Sequence, residues 1–210
     1  MSLKRLTIAV LVAVTISTIN HAAAQDKNEV AGMVGRIFIS NQSIKGATFF
    51  NHEVRFGNGL TFEGNYARHV LDGDIFGVSL EVPVVVNWDE DLSTGANLVP
   101  ESFRSFFVTP AARLNLFPHT GLSPWVSVGG GYGHFSESST LVFGVPNPGK
   151  TGSSTGVFQA GLGLDVRIRS RFSLRVEARD FWSGEPQLNV DTGKSRQHNI
   201  FVAGGIVWHF

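Results

Sequence analysis

His198-Asn199-Ile200-Phe201-Val202-Ala203-Gly204-Gly205-Ile206-Val207-Trp208-His209-Phe210 alternates with a period of two. Ile200, Val202, Gly204, Ile206, Trp208 and Phe210 form one row, and Asn199, Phe201, Ala203, Gly205, Val207 and His209 form the other. That pattern predicts a β-strand. The strand reaches the last residue and ends on aromatic rings, where the end of a soluble chain more often frays into polar residues. An oily row that finishes on an interfacial ring suits a strand whose outer face meets lipid.

Outward from this stretch, composition limits what the remainder can be. The chain has 210 residues, enough for one domain, with 24 Gly, 17 Phe and no Cys. Lys4 and Arg5 precede the apolar run Leu6 to Ile16, and His21-Ala22-Ala23-Ala24-Gln25 supplies a small-residue cleavage pattern. Residues 1–24 therefore read as an export signal cut after Ala24, because the run falls short of the ~18 apolar residues of a spanning helix. Without Cys there is no lipid-attachment site and no disulfide framework. Removing the signal takes Lys4 and Arg5 from 17 cations and none of the 17 acids, leaving a net charge of −2. That balance argues against a nucleic-acid partner. No later segment is apolar enough for a transmembrane helix, so a bilayer-spanning fold must be a closed barrel, since open sheet edges cannot be satisfied in hydrocarbon.

Seven further segments carry the same period. In the first, Glu29 to Ser40, the outer row is assigned to Ala31, Met33, Gly35, Ile37 and Ile39, with Arg36 opposite. The second sets Leu60, Phe62, Gly64, Tyr66 and Val70 against Thr61, Glu63, Asn65, Ala67 and His69, in a phase that reaches back through Phe56 and Val54. In the third, Phe76, Val78, Leu80, Val82, Val84, Val86 and Trp88 oppose Ser79 and Glu81. The fourth, Ser105 to Phe117, sets Phe106, Val108, Ala112, Leu114 and Leu116 against Thr109, Arg113 and Asn115. The fifth, Pro124 to His134, is glycine-rich and its phase stays open. The sixth sets Phe158, Ala160, Leu162, Leu164, Val166 and Ile168 against Gln159, Gly161, Gly163, Asp165 and Arg167. In the seventh, Phe172, Leu174, Val176 and Ala178 oppose Ser173, Arg175, Glu177 and Arg179. Pro83 and Pro110 each remove a ladder hydrogen bond, which predicts a bulge or break at both. Arg68 falls on the outer row close to a turn and is expected at the interface.

The connections alternate in length. Residues 41–59, 89–104, 135–154 and 183–198 are long, whereas 72–74, 118–123 and 169–171 are short. Short turns on one side, long loops on the other and an even strand number describe an all-β, eight-stranded antiparallel up-and-down transmembrane barrel over residues 25–210. Trp88 and Trp182 fall at its outer rim and Trp125 and Trp208 at its inner rim, an expected aromatic girdle, although Val126 and Val128 compete with Trp125 for the outer row. The inner row sets Glu63, Glu81, Asp165 and Glu177 against Arg113, Arg167, Arg175 and Arg179, with His69 nearby. An eight-stranded barrel is just wide enough to be filled by side chains, and buried charges persist when paired. The expectation is an ion-paired plug, with a narrow charged conduit as the alternative.

Several motifs invite a chemical reading. Gly144-Val145-Pro146-Asn147-Pro148-Gly149-Lys150-Thr151 matches a phosphate loop, but Gly- and Ser-rich residues and then a strand follow where that motif needs a helix. Gly129-Gly130-Gly131-Tyr132-Gly133 reads as close strand packing for the same reason. Asp89-Glu90-Asp91 has the oxygen ligands for Ca²⁺ or Mg²⁺, or reads as a solvated loop. His134 and Ser136 share a strand face and carry the residue types of a hydrolase. The seven His are scattered without the short-range pairs of a strong zinc site. No catalytic set, cofactor or metal site is assigned.

With these features in place the chain resembles the OmpA/OmpX-like small outer-membrane proteins, the broad outer membrane protein β-barrel domain group, over residues 25–210. The export signal, the loop order and the terminal Gly205, Trp208 and Phe210 carry the resemblance, with Ala203 where that assembly signal often has a polar residue. The resemblance implies a location in the outer membrane of a Gram-negative-type envelope, among outer-membrane lipids and lipopolysaccharide, and insertion by the outer-membrane assembly machinery. Members range over adhesion, envelope stability and narrow pores. A non-enzymatic monomer displaying surface loops is the expectation, ahead of a porin-like channel and of a lipid-A-modifying enzyme using His134 and Ser136.

Overall fold

A computed structural model describes residues 27–46, 53–95 and 97–210. The export-signal reading of residues 1–24 lies outside them. The described residues form eleven strands and no helix: β1 (Asn28–Ile39), β2 (Gln42–Ser43), β3 (Glu53–Phe56), β4 (Leu60–Leu71), β5 (Phe76–Ser93), β6 (Ser102–Val108), β7 (Ala111–Leu116), β8 (Leu122–Glu137), β9 (Ser153–Arg169), β10 (Phe172–Ser183) and β11 (Gln197–His209). Each long strand pairs antiparallel with its chain neighbours, and β1 pairs with β11 from Glu29↔His209 to Ile39↔Asn199. The sheet therefore closes. β6 and β7 are two halves of one stave, both lying between β5 and β8, so the barrel has eight staves.

Alternation decides which way each side chain points. Leu162, Val128 and Val176 stand 61%, 59% and 57% exposed, while the inward Arg113, Arg175 and Arg179 are at most 1% exposed. A polar interior under an apolar exterior is inverted relative to a water-soluble domain, and such a continuous oily band is stable against acyl chains. β5 and β9, with 18 and 17 residues, exceed the roughly 9–11 residues that cross a bilayer, so their ends extend past the oily band.

The two prolines share one gap. β6 stops at Val108 and β7 resumes at Ala111, so the expected break occurs at Pro110. β5 itself runs on through Pro83, and the break expected there lies in its ladder with β6 and β7, which has no pair between Glu81↔Ala111 and Val84↔Val108. Its β4 side keeps the pair Asn65↔Pro83, and on its other side Pro83 accepts from Thr109 N at 3.3 Å. Pro83 faces the gap between β6 and β7, whereas Pro110 O accepts from Gly130 N of β8 at 3.2 Å, so the two prolines meet opposite sides of the same stave.

β1 has the opposite phase from the one expected. Ala31, Met33, Ile37 and Ile39 are buried, and Val30, Val34 and Phe38 face outward. Both rows of this strand are apolar, so hydrophobicity does not choose between them; Glu29 does. Sharing a face with Ala31 and Met33, it can lie inside among arginines or outside in lipid, and the second is costly. Arg36 turns outward near the long-loop end and donates to Asn58 O at 2.7 Å. The phase of β4 also fails to extend back through Phe56, because residues 57–59 leave the ladder and β3 forms separately with Val54 fully buried.

The loop end is a built structure. β2 pairs with β3, and β3 with the projecting end of β5. Lys45 N donates to Asp191 O at 2.7 Å, and Pro100↔Leu141 and Thr140↔Pro146 form isolated bridges. Below these loops, Phe103, Phe107, Phe135, Phe181 and Phe201 fill the lumen with Ile37, Val85 and Val157. Phe107 and Phe181 stack at 5.0 Å, and Phe135 meets Phe107 edge-on at 5.9 Å.

Candidate functional site

Toward the short-turn end the interior changes from phenylalanines to charges. Arg113 comes from β7, Trp125 from β8, Asp165 from β9 and Arg175, Glu177 and Arg179 from β10. β4, β5 and β1 supply Glu63, Glu81 and Glu29. The inward alternation of seven staves thus converges on one layer.

Two linked clusters make up that layer. Arg179 pairs with Glu81 at 2.7 Å, Glu177 at 2.8 Å and Glu63 at 3.5 Å. Arg175 grips Asp165 with two nitrogens, each at 2.7 Å, and reaches Glu29 Oε1 at 2.9 Å. Arg113 joins the clusters, lying 2.6 Å from Glu29 and 3.4 Å from Glu81. Trp125 is 2% exposed in the middle. The Arg113, Arg175 and Arg179 guanidinium groups stand 5.5, 5.3 and 5.1 Å from its ring centre, and its indole N–H donates to Asp165 at 3.3 Å. A ring face attracts cations, so Trp125 lets three guanidinium groups crowd together while five carboxylates surround them.

This corrects two sequence assignments. Trp125 is not part of the girdle: Val126 and Val128 occupy the outer row, at 54% and 59% exposed, which turns Trp125 inward. Trp88, Trp182 and Trp208 do face outward. Arg167 is exposed and lines the mouth below the layer instead of joining it, because β9 runs on past the level of Asp165. Its place is taken by none of the other cations, and Glu29 adds an acid, so the expected four against four becomes five acids against three arginines. Glu29 could have been found from the sequence by asking which phase of the first strand keeps a carboxylate out of lipid.

The remaining motifs disperse. Asp89 and Asp91 are exposed, but a register shift between Asn87 and Glu90 turns Glu90 inward, where it accepts from Gly59 N and Asn87 Nδ2, both at 2.9 Å. The three acids do not converge on one point. Residues 144–151 form a loop bridged at Pro146, with no helix to aim amides at phosphate. His134 Nδ1 meets Ser154 Oγ at 3.0 Å rather than Ser136. At the seam, Gly205 packs against the backbone of Gly32 and Met33, and Trp208 and Phe210 lie with ring centres 4.8 Å apart.

Among the described residues, sequence-scattered groups meet below the charged layer. His69 and His209 both approach Glu29, beside a cavity of about 280 Å³ also lined by Asn115, Asp165, Arg167 and Ser173.

A closed antiparallel barrel with an oily exterior and an ion-paired lumen defines a membrane-spanning β-barrel protein. The outer membrane protein β-barrel domain family matches residues 8–205, and the chain belongs to that family, which places it in the outer membrane. Among solved structures it is similar to the outer membrane protein OprG from Pseudomonas aeruginosa, at 11% identity over 89% of this chain and 98% of that one, with a TM-score of 0.53. It is likewise similar to Neisserial surface protein A, at 11% identity over 87% and 97%, TM-score 0.50. Ail, the attachment invasion locus protein of Yersinia pestis, aligns at 14% identity over 87% and 99%, TM-score 0.45. No curated protein matches the sequence.

Proposed function

We propose that this protein is a non-conducting, non-enzymatic monomer of the outer membrane that holds four long loops at the cell surface, for envelope integrity or surface contact. Its partners are lipopolysaccharide around the barrel and the assembly machinery that inserts it. The observation that carries the reading is the filled lumen. Arg113, Arg175 and Arg179 bind carboxylates from β1, β4, β5, β9 and β10 around Trp125, and a phenylalanine layer lies above them. A permeating ion would have to break buried, hydrogen-bonded pairs and then cross an apolar layer, and each cost is high in a low-dielectric interior. The strand-paired loops above, joined by β2, β3 and two isolated bridges, supply a preorganised surface.

Planar-bilayer recording of the refolded barrel tests the proposal. No discrete channel events are expected at either polarity. Reproducible stepwise openings that disappear when the protein is left out would overturn it in favour of a narrow charged pore.

A further inference from the structure

We propose that the short-turn mouth of the barrel holds a divalent transition-metal site of the zinc class, with His69 Nε2, His209 Nδ1 and Glu29 Oε2 as ligands. The three come from β4, β11 and β1, adjacent staves on both sides of the seam where the first and last strands meet. One donor atom from each lies within 4.8 Å of the other two. His69 Nε2 is 3.5 Å and His209 Nδ1 3.8 Å from Glu29 Oε2. Ligand atoms about 2.0–2.2 Å from a tetrahedral Zn²⁺ stand about 3.4 Å apart, so both contacts to Glu29 need to close by at most a few tenths of an ångström, and the two imidazoles, within 4.8 Å of each other, turn toward the ion by small side-chain rotations.

The surroundings are those of a built site. The other nitrogen of each imidazole is already engaged, His69 Nδ1 with Ser79 Oγ at 2.9 Å and His209 Nε2 with Ser173 Oγ at 2.9 Å. Such outer bonds fix which ring nitrogen faces a metal and hold the ring in plane. Glu29 Oε1 is held by Arg113 and Arg175, leaving Oε2 to face the histidines. The adjoining cavity, about 280 Å³, gives the ion an entry path and room for a water as fourth ligand. Two imidazoles and one carboxylate suit Zn²⁺ and its neighbours better than Ca²⁺ or Mg²⁺, which take oxygen ligands. A bound ion would tie β1, β4 and β11 together at the short-turn end, a role independent of whether the lumen conducts.

Zn²⁺ titration of the metal-free refolded barrel in detergent, against a chromophoric chelator, tests the site. One ion per chain is expected, with thermal unfolding moved to higher temperature by Zn²⁺ and not by Mg²⁺. Replacing both histidines, His69→Gln with His209→Gln, should abolish the stoichiometric binding. Ser173→Ala, which leaves every ligand in place, should weaken it by about 10- to 100-fold. No stoichiometric binding in the unsubstituted protein, or binding that survives in the double variant, overturns the proposal. If the double variant does not refold, X-ray absorption at the zinc edge of the unsubstituted protein decides. Two imidazoles in the coordination shell support the site, and one or none refutes it.

Discussion

Arg179 is the one cation shared by Glu63, Glu81 and Glu177, so its removal strands Glu63 and Glu177 and leaves Glu81 only its longer contact with Arg113, at 3.4 Å. Taking one partner from a buried pair costs about 3–5 kcal/mol because the remaining charge has no water to return to. Arg179→Ala should lower the urea-unfolding free energy in vesicles by at least that much. Glu63→Gln should behave oppositely. Neither Glu63 oxygen has a hydrogen-bond partner, and the layer already holds more acids than arginines, so deleting this charge relieves repulsion. Its stability should be unchanged or higher by up to about 1 kcal/mol, because Arg179 keeps Glu81 and Glu177 as partners and no buried charge is left uncompensated. A loss of 3 kcal/mol in Glu63→Gln would show that Glu63 is a required member of the network.

At the scale of the strand, a bulge sends β5 above the Trp88 rim with its inward row reset. Glu90 then points in and holds Gly59 N. Burial pushes its carboxyl above the ordinary value, with Asp91 and Asp89 adding to the effect, although the bonds from Asn87 and Gly59 pull the other way. A raised folded value means that the stability this group lends the loop is fully present below the ordinary carboxylate range, about 4.3, and is lost as pH rises through the folded value. The Gly59 amide resonance should titrate with a midpoint above that range, and Glu90→Gln should remove the titration. Strand content and stave number were legible because most staves carry one oily and one polar row, as in Phe158 to Ile168 against Gln159 to Asp165. β1 was misread because both its rows are apolar. Trp125 was misread because a tryptophan near a strand end fits a girdle as well as a lumen, and only its valine neighbours distinguish the two. The meeting of His69, His209 and Glu29 was hidden although the predicted topology makes their strands neighbours, since it needs the true phase of β1 and the registers Glu29↔His209 and Glu29↔Ala67, which no single strand's pattern carries.

Closure is a property of the whole molecule, and it concentrates at the β1–β11 seam, where chain ends 180 residues apart must come into register. Gly205 sits opposite Met33 there. A Cβ on Gly205 would run into the Gly32 carbonyl oxygen and come within 2.8 Å of Met33 Cα, and backbone cannot move aside without breaking the ladder. Gly204, next to it, points the other way, and a Cβ there would find its nearest atom, Arg175 O, at 3.8 Å. The pair therefore separates steric blockage from a general cost of losing glycine, since any gain from reduced unfolded-chain entropy applies at both positions. Gly205→Val should prevent closure, with the fast-migrating folded band on unheated gels largely lost after refolding into vesicles. Gly204→Val adds an oily group to the lipid-facing row and should refold to nearly the original yield. A barrel can be sealed by this seam only if both strands arrive in one register, because a slip of one residue would turn Phe201, Val207 and His209 into lipid and Ile206 and Trp208 into the lumen. Gly205→Val that folds as well as Gly204→Val would mean that the seam yields where the close backbone approach says it cannot.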